Sequence, residues 1–264
     1  MITYKTEQEF NTMRYAGANL NSIFLFLSKE LDSFKHGLEI DYFVEDKIRE
    51  LGGDPIFKGY QGFPASCCIS INDLAFHGVP STTMFREGDV ISIDIGLSME
   101  GLCVDSSRTY IYIKPKSQKD LDLIFISIKI LNKAIEKIQI GKQIGIVSHT
   151  IEKEVFKRGL DVVKEFTGHG IGYNLHESPT VYNYGDARSG VNIIQGMAFC
   201  IEPCITRGNA KIRRSGDWGV YIDDGSTSVH IEDTIIISEK GIQNITEGAY
   251  INQACIDYIA KTRR

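Results

Sequence analysis

Helix-forming sequence followed by short strand-like segments occurs in the same order in both halves of the chain, and this recurrence limits the architectures open to it. From Glu7 to about Leu31, Phe10, Met13, Ala16 and Leu20 recur at three- and four-residue steps, and His36-Gly37 ends the run. A second helix runs from about Ile40 to Leu51, with Phe43, Val44, Ile48 and Leu51 on its apolar side and Gly52-Gly53 closing it. In the second half, Leu121, Ile124, Ile128, Leu131, Ile135 and Ile138 form one helical stripe ending at Gly141, and another helix from about Ile144 to Lys157 stops at Gly159. Strand-like pieces follow each helix pair: Cys68 to Asn72, Val90 to Leu97 and Gly101 to Ile113, then Val162-Val163, Met197 to Ile201 and Ile231 to Ile237. A Gly-x-x-Ile lead-in recurs at Gly37 to Ile40 and Gly141 to Ile144, which reads as an internal duplication, with chance similarity as the alternative. No Pro/Ser-rich linker divides the halves, so residues 1–264 are expected to form a single α+β domain whose strands meet in one sheet.

Composition narrows function. With 29 Lys+Arg against 34 Asp+Glu the net charge is −5, so no basic excess is present for a phosphate backbone and no specific nucleic-acid partner is expected. The six cysteines include no CxxC pair, which argues against a thiolate zinc site or a disulfide framework and points to a reducing cytoplasm. No apolar run approaches the roughly 18 residues of a membrane span, and the polar stretch from Met1 to Phe10 lacks a signal-peptide core, so no membrane partner is expected.

The acidic surplus has a candidate location. Asp94 and Asp105 lie in consecutive strand-like segments joined by Ser98-Met99-Glu100-Gly101. A turn centred between Met99 and Glu100 pairs 98 with 101 and sets Asp94 opposite Asp105, with Cβ atoms ~4.5–5.5 Å apart, where like charges destabilise. Ile91, Ile93, Ile95, Leu102, Cys103 and Val104 mark this hairpin as buried, so desolvation adds to the cost and something positive is required between the acids. A register shifted by one residue, turning one aspartate to solvent, is the alternative. In Gly168-His169-Gly170-Ile171-Gly172 the flanking glycines display the imidazole. Glu202 ends the apolar run from Met197, and Glu232 opens the one from Ile231 to Ile237. Any one of these residues could be structural. Together, Asp94, Asp105, His169, Glu202 and Glu232 offer four carboxylates and one imidazole, a donor set suited to two divalent cations such as Mn²⁺, Fe²⁺, Co²⁺ or Zn²⁺.

Ordered motifs around these residues resemble the type I methionine aminopeptidases of peptidase family M24. Gly59-Tyr60-Gln61-Gly62-Phe63-Pro64, Cys68-Ile69-Ser70-Ile71-Asn72 and His77-Gly78-Val79-Pro80 come first. Asp94 in Ser-Ile-Asp-Ile, Asp105 in Val-Asp-Ser-Ser, the His169 glycine motif, Leu175-His176-Glu177-Ser178-Pro179, Ile201-Glu202-Pro203 and the Glu232 strand follow. The match runs from about Thr6 to about Ile245. The resemblance implies the pita-bread fold, two pseudo-symmetric halves with a curved antiparallel sheet covered by helices around a dinuclear metal site. It implies that Asp94, Asp105 and Glu232 hold one metal and Asp105, His169, Glu202 and Glu232 the other, with Co, Mn, Fe, Zn or Ni as candidates. A bridging water would attack the carbonyl after the N-terminal methionine, with Glu202 as proton shuttle, His176 on the carbonyl oxygen and His77 on the amide nitrogen. Tyr60, Phe63, Cys68, Leu175 and Trp218 would line the methionine pocket.

The implied activity is removal of the initiator methionine from nascent polypeptides whose second residue is small, by a cytoplasmic monomer. The family's zinc-binding or Src-homology-ligand extension is not seen before Thr6, which reads as the minimal form. Departures from the family pattern are Leu175 for phenylalanine, Cys200 for threonine, and His230-Ile231-Glu232-Asp233 for Gln-x-Glu-His. His230 is expected to point into the cleft and alter metal affinity or substrate access, with neutral drift as the alternative. Two other functions stay open: a proline-specific peptidase of the prolidase or aminopeptidase P type, and a metal-free binding protein on the same fold. A transient ribosome contact through Arg207, Lys211, Arg213, Arg214 and the tail Lys261-Thr262-Arg263-Arg264 is compatible with catalysis, and solvated surface charge is the plainer reading of those residues.

Overall fold

A computed structural model describes residues 2–262. Helix α1 (Glu7–Glu30) starts at a capping box in which Thr6 accepts from the Glu9 N–H and the Glu9 carboxylate accepts from the Thr6 N–H. Helix α2 (Gly37–Glu50) begins earlier than its apolar stripe suggests, because His36 caps it: the His36 Nδ1 accepts from the Glu39 N–H. The first-half strands are β1 (Asp54–Pro55), β2 (Cys67–Ile71), β3 (Leu74–Phe76), β4 (Val90–Met99) and β5 (Leu102–Ile111). Helices α3 (Gln118–Glu136) and α4 (Gly145–Phe156) open the second half. Its strands are β6 (Asp161–Val162), β7 (Gly168–Gly170), β8 (Glu177–Val181), β9 (Ala198–Ile201), β10 (Cys204–Thr206), β11 (Ile212–Ser215), β12 (Gly219–Ile222), β13 (Ser228–His230), β14 (Asp233–Ser238) and β15 (Gly241–Asn244), followed by α5 (Gln253–Thr262).

Each half buries a helix pair against its own sheet. Phe10, Leu20 and Phe24 of α1 and Ile40, Val44 and Ile48 of α2 share a core with Ile91, Ile93 and Ile95 of β4. Ile124, Leu131, Val147 and Ile151 of α3 and α4 share another with Phe199, Ile201, Ile235 and Ile237 of β9 and β14. The expectation of one continuous sheet is corrected here. The first-half strands β5, β4, β2 and β1 form one antiparallel sheet, and β15-β14-β9-β7-β8 form another. They meet at an isolated bridge between Ser107 and Glu232, where Glu232 N–H donates to the Ser107 carbonyl at 3.1 Å and Ser107 N–H returns at 3.3 Å. Continuity fails because the chain changes sheets at Glu202-Pro203, between β9 and β10, and at Ile231-Glu232, between β13 and β14. Glu232 therefore precedes β14, which begins at Asp233.

The hairpin register also differs from expectation. Met99 pairs with Leu102, so the turn consists of Glu100 and Gly101, at φ 50° and 78°. Both residues are left-handed, the geometry of a two-residue turn whose twist suits antiparallel strands. Asp94 therefore faces Ser107 and Asp105 faces Gly96. The displacement from the expected pairing is two residues, which keeps the period-two alternation and leaves both aspartates on one face as diagonal neighbours.

Candidate metal centre

The hairpin of the first half and the sheet-switching points of the second converge on one cleft. Asp94 and Asp105 come from β4 and β5, His169 from the middle of β7, Glu202 from just after β9, and Glu232 from just before β14. His169 Nε2 lies 3.6 Å from Glu202 Oε1, 3.9 Å from Glu232 Oε1 and 4.0 Å from Asp105 Oδ2. Ligand atoms of Asp94, Asp105 and Glu232 all lie within 4.8 Å of one another.

No cationic side chain among the described residues neutralises this group. Asp94 Oδ1, Asp105 Oδ1 and Glu232 Oε1 are buried without a hydrogen-bond partner among the described residues. No Lys or Arg among the described residues forms an ion pair with any of the four acids. Burial, and then the neighbouring negative charges, push Asp94, Glu202 and Glu232 well above the usual carboxylate range. Burial raises Asp105 to about 7. His169 is held near 3, mainly by burial, and is therefore a neutral ring. With Nδ1 3.0 Å from the Gly170 carbonyl, the proton sits on Nδ1 and the Nε2 lone pair faces the carboxylates. Acceptors aimed at acceptors across 3.6–4.0 Å repel unless cations lie among them. The donor set thus fits divalent metal ions, oxygen-rich with one imidazole.

A cavity opens beside these groups, lined by the five residues above together with Tyr60, Phe63, Cys68, His77, Leu175, His176 and Trp218. His176 Nδ1 is 2.7 Å from the Tyr60 hydroxyl, and its ring centre is 4.3 Å from that of His169. His77 has φ 57°, packs edge-on to Phe166 at 5.2 Å and is lowered to about 4 chiefly by burial. Phe63 and Trp218 meet edge to face at 5.1 Å on the apolar side.

Phe57, Gln61 and Phe76 also line the cavity and were missed in the sequence. One signal existed for Phe57: Gly96 interrupts β4, and a Cβ there would sit 2.5 Å from the Phe57 ring. His230 reaches the cavity as expected, with Nε2 3.6 Å from Glu202 Oε2. Asp233 does not. It turns away and pairs with the buried Arg108 at 2.8 Å.

Of the basic residues considered for ribosome contact, Arg207 donates to the Lys119 carbonyl, Arg213 lies 3.5 Å from Asp73, and Arg214 stacks over Phe166 at 5.6 Å. Arg263 and Arg264 lie outside the described residues. Among the described residues no helix is long and apolar enough to cross a membrane.

Comparison with known proteins places the chain. Residues 11–239 match the model of Metallopeptidase family M24. Methionine aminopeptidase of Clostridium acetobutylicum is 37% identical over 248 residues, 93% of this chain and 99% of that protein. Methionine aminopeptidase 1 of Bacillus subtilis is 35% identical over 247 residues, again covering 93% and 99%. The crystal structure of methionine aminopeptidase from Thermotoga maritima superimposes with a TM-score of 0.89 at 33% identity, covering 94% of this chain and all of that one. With the pita-bread architecture and full-length similarity in agreement, the chain belongs to the methionine aminopeptidases, metal-dependent enzymes of family M24 that remove an N-terminal methionine.

Proposed function

We propose that the chain excises the initiator methionine from nascent polypeptides with a small second residue, working as one catalytic unit of residues 1–264 in which Asp94, Asp105, His169, Glu202 and Glu232 hold two divalent cations, Co, Mn, Fe, Zn or Ni among them. The observation that carries this reading is the set of buried, partnerless carboxylate oxygens facing a neutral imidazole at the end of an apolar cavity. Bound ions would supply an acidified water and positive charge beside the scissile carbonyl.

The protein's own groups do the rest. Glu202, whose two oxygens both face the cleft, takes the proton of the attacking water and passes it to the departing amide nitrogen as the C–N bond breaks. His176, with Nδ1 engaged by Tyr60, keeps Nε2 for the carbonyl oxygen as negative charge develops there. His77, neutral and fixed against Phe166, addresses the nitrogen of the scissile bond. Tyr60, Phe63, Cys68, Leu175 and Trp218 enclose the methionine side chain.

Six buried free cysteines support a reducing, cytoplasmic setting, and the same reading has the enzyme acting as a monomer with transient ribosome contact. The deciding assay is release of methionine from Met-Ala-Ser with added Co²⁺ or Mn²⁺, beside Xaa-Pro peptides as controls. Methionine release from Met-Ala-Ser alone is expected. Cleavage only of Xaa-Pro peptides would move the chain to the proline-specific branch, and no cleavage of either with bound metal would favour the binding-protein reading.

A further inference from the structure

Glu202 lies between two imidazoles. His169 Nε2 is 3.6 Å from its Oε1, and His230 Nε2 is 3.6 Å from its Oε2. His230 ends β13, is fixed by the pairing of Cys204 with His230, and packs its ring at 4.8 Å from that of Phe76. Its Nε2 is buried with no hydrogen-bond partner among the described residues. A buried polar atom in that state calls for a ligand. The separation from Glu202 is too long for a hydrogen bond. It matches instead the spacing of two donors on one ion: ligand atoms each ~2.0–2.2 Å from a tetrahedral cation stand roughly 3.3–3.6 Å apart.

We propose that His230 is an additional nitrogen ligand to the ion held by His169 and Glu202. The inference rests on the metal-centre reading above and deepens it. Borderline ions such as Zn²⁺ and Co²⁺ gain more from a second imidazole than Mn²⁺ does, and the site's preference moves towards them.

Histidine side-chain ¹⁵N NMR of the full, unmutated chain, stripped of metal and titrated with Zn²⁺, tests the assignment directly. The Nε2 resonances of His169 and His230 are both expected to move to metal-bound positions. Movement of His169 alone overturns the His230 assignment and leaves the metal centre standing; movement of neither overturns the metal centre as well. Calorimetric titration of His230→Gln gives the second measurement. Zn²⁺ affinity at one of the two sites is expected to fall by more than about 100-fold, beyond what loss of an outer-shell partner causes, with Mn²⁺ affinity changing less than about 3-fold. No loss, or equal losses for both metals, overturns the proposal.

Discussion

Glu232 and Asp233 are adjacent acids, both buried, and the protein treats them in opposite ways. Asp233 is surrounded by donors: Arg108 Nη2 at 2.8 Å, Asn244 Nδ2 at 2.7 Å, Thr246 Oγ1 at 3.1 Å and the Tyr250 hydroxyl. Arg108 is equally complete. Its other donors go to the carbonyls of Ser107, Glu232, Thr246 and Gly248, and its guanidinium stacks on Tyr250 at 4.3 Å. Among the described residues Glu232 meets no Lys or Arg, and its Oε1 has no hydrogen-bond partner. Buried charge is tolerated only when paired, so the contrast separates an acid completed by the fold from one left to be completed by a ligand. The two are linked, because Arg108 holds the Glu232 main chain through its carbonyl at 2.7 Å while neutralising the next side chain.

Removing a cleft acid should have the largest effect. Glu232→Gln and Asp105→Asn are expected to lower metal affinity and kcat/KM by more than about 100-fold, beyond what loss of an outer-shell partner causes, with little loss of folding stability. Elemental analysis of the dialysed protein beside steady-state kinetics checks both halves of that expectation. Wild-type metal content in either variant would break the comparison.

Arg108→Met should do the reverse and act first on stability. Leaving Asp233 buried and unpaired is expected to cost about 3–5 kcal/mol in urea unfolding, and the double variant with Asp233→Leu should regain much of that. If the single variant is as stable as wild type, Asp233 is not completed by Arg108 in the way described.

The pH dependence of the metal-free protein comes next. Asp94, Asp105, Glu202 and Glu232 all have pKa values above their ordinary range, so the folded state binds more protons than the unfolded one. Their contribution is complete at acid pH and is lost as pH rises through the folded-state values, which for Asp105 is about 7. In EDTA, thermal stability should therefore fall between pH 5 and pH 8, by up to about 1.4 kcal/mol per pH unit for each group titrating. Added Mn²⁺ or Co²⁺ should flatten or reverse the slope. A calorimetric Tm independent of pH in EDTA would contradict the picture of four uncompensated acids.

The smallest effect is expected from Tyr60→Phe. Losing the hydroxyl that fixes His176 Nδ1 at 2.7 Å should lower kcat by about 2–10-fold, the range of one neutral hydrogen bond. Metal content should stay unchanged, which separates this part of the cleft from the acids.

Much of the fold and site was legible because its signals are local. The stripe from Leu121 to Ile135 became α3, and the alternation around Asp94 became β4. The His169 glycine motif became a strand carrying a displayed ring. The hairpin register was missed because a shift of two residues leaves every side chain on the same face, so the hydrophobic pattern cannot distinguish the two pairings. Only the turn decides, and Glu100-Gly101 closes it with left-handed backbone at both positions. Phe76 and Gln61 were missed because an aromatic beside a histidine motif, or a glutamine between glycines, carries no local mark of facing a cavity.

The sequence by itself determined the inventory: which acids and imidazoles exist, that they sit beside apolar strands, and that their motifs follow one family's order. The tertiary structure decided their partners. Arg108 and Asp233 are far apart in the chain, so nothing local announces that one acid in the pair Glu232-Asp233 is neutralised from within and the other faces the cleft. That choice is made where the chain passes from β13 to β14 and changes sheets. Side-chain direction there is set by the neighbouring strands, through the Ser107 bridge on one side and β9 on the other, and not by the period of the segment itself.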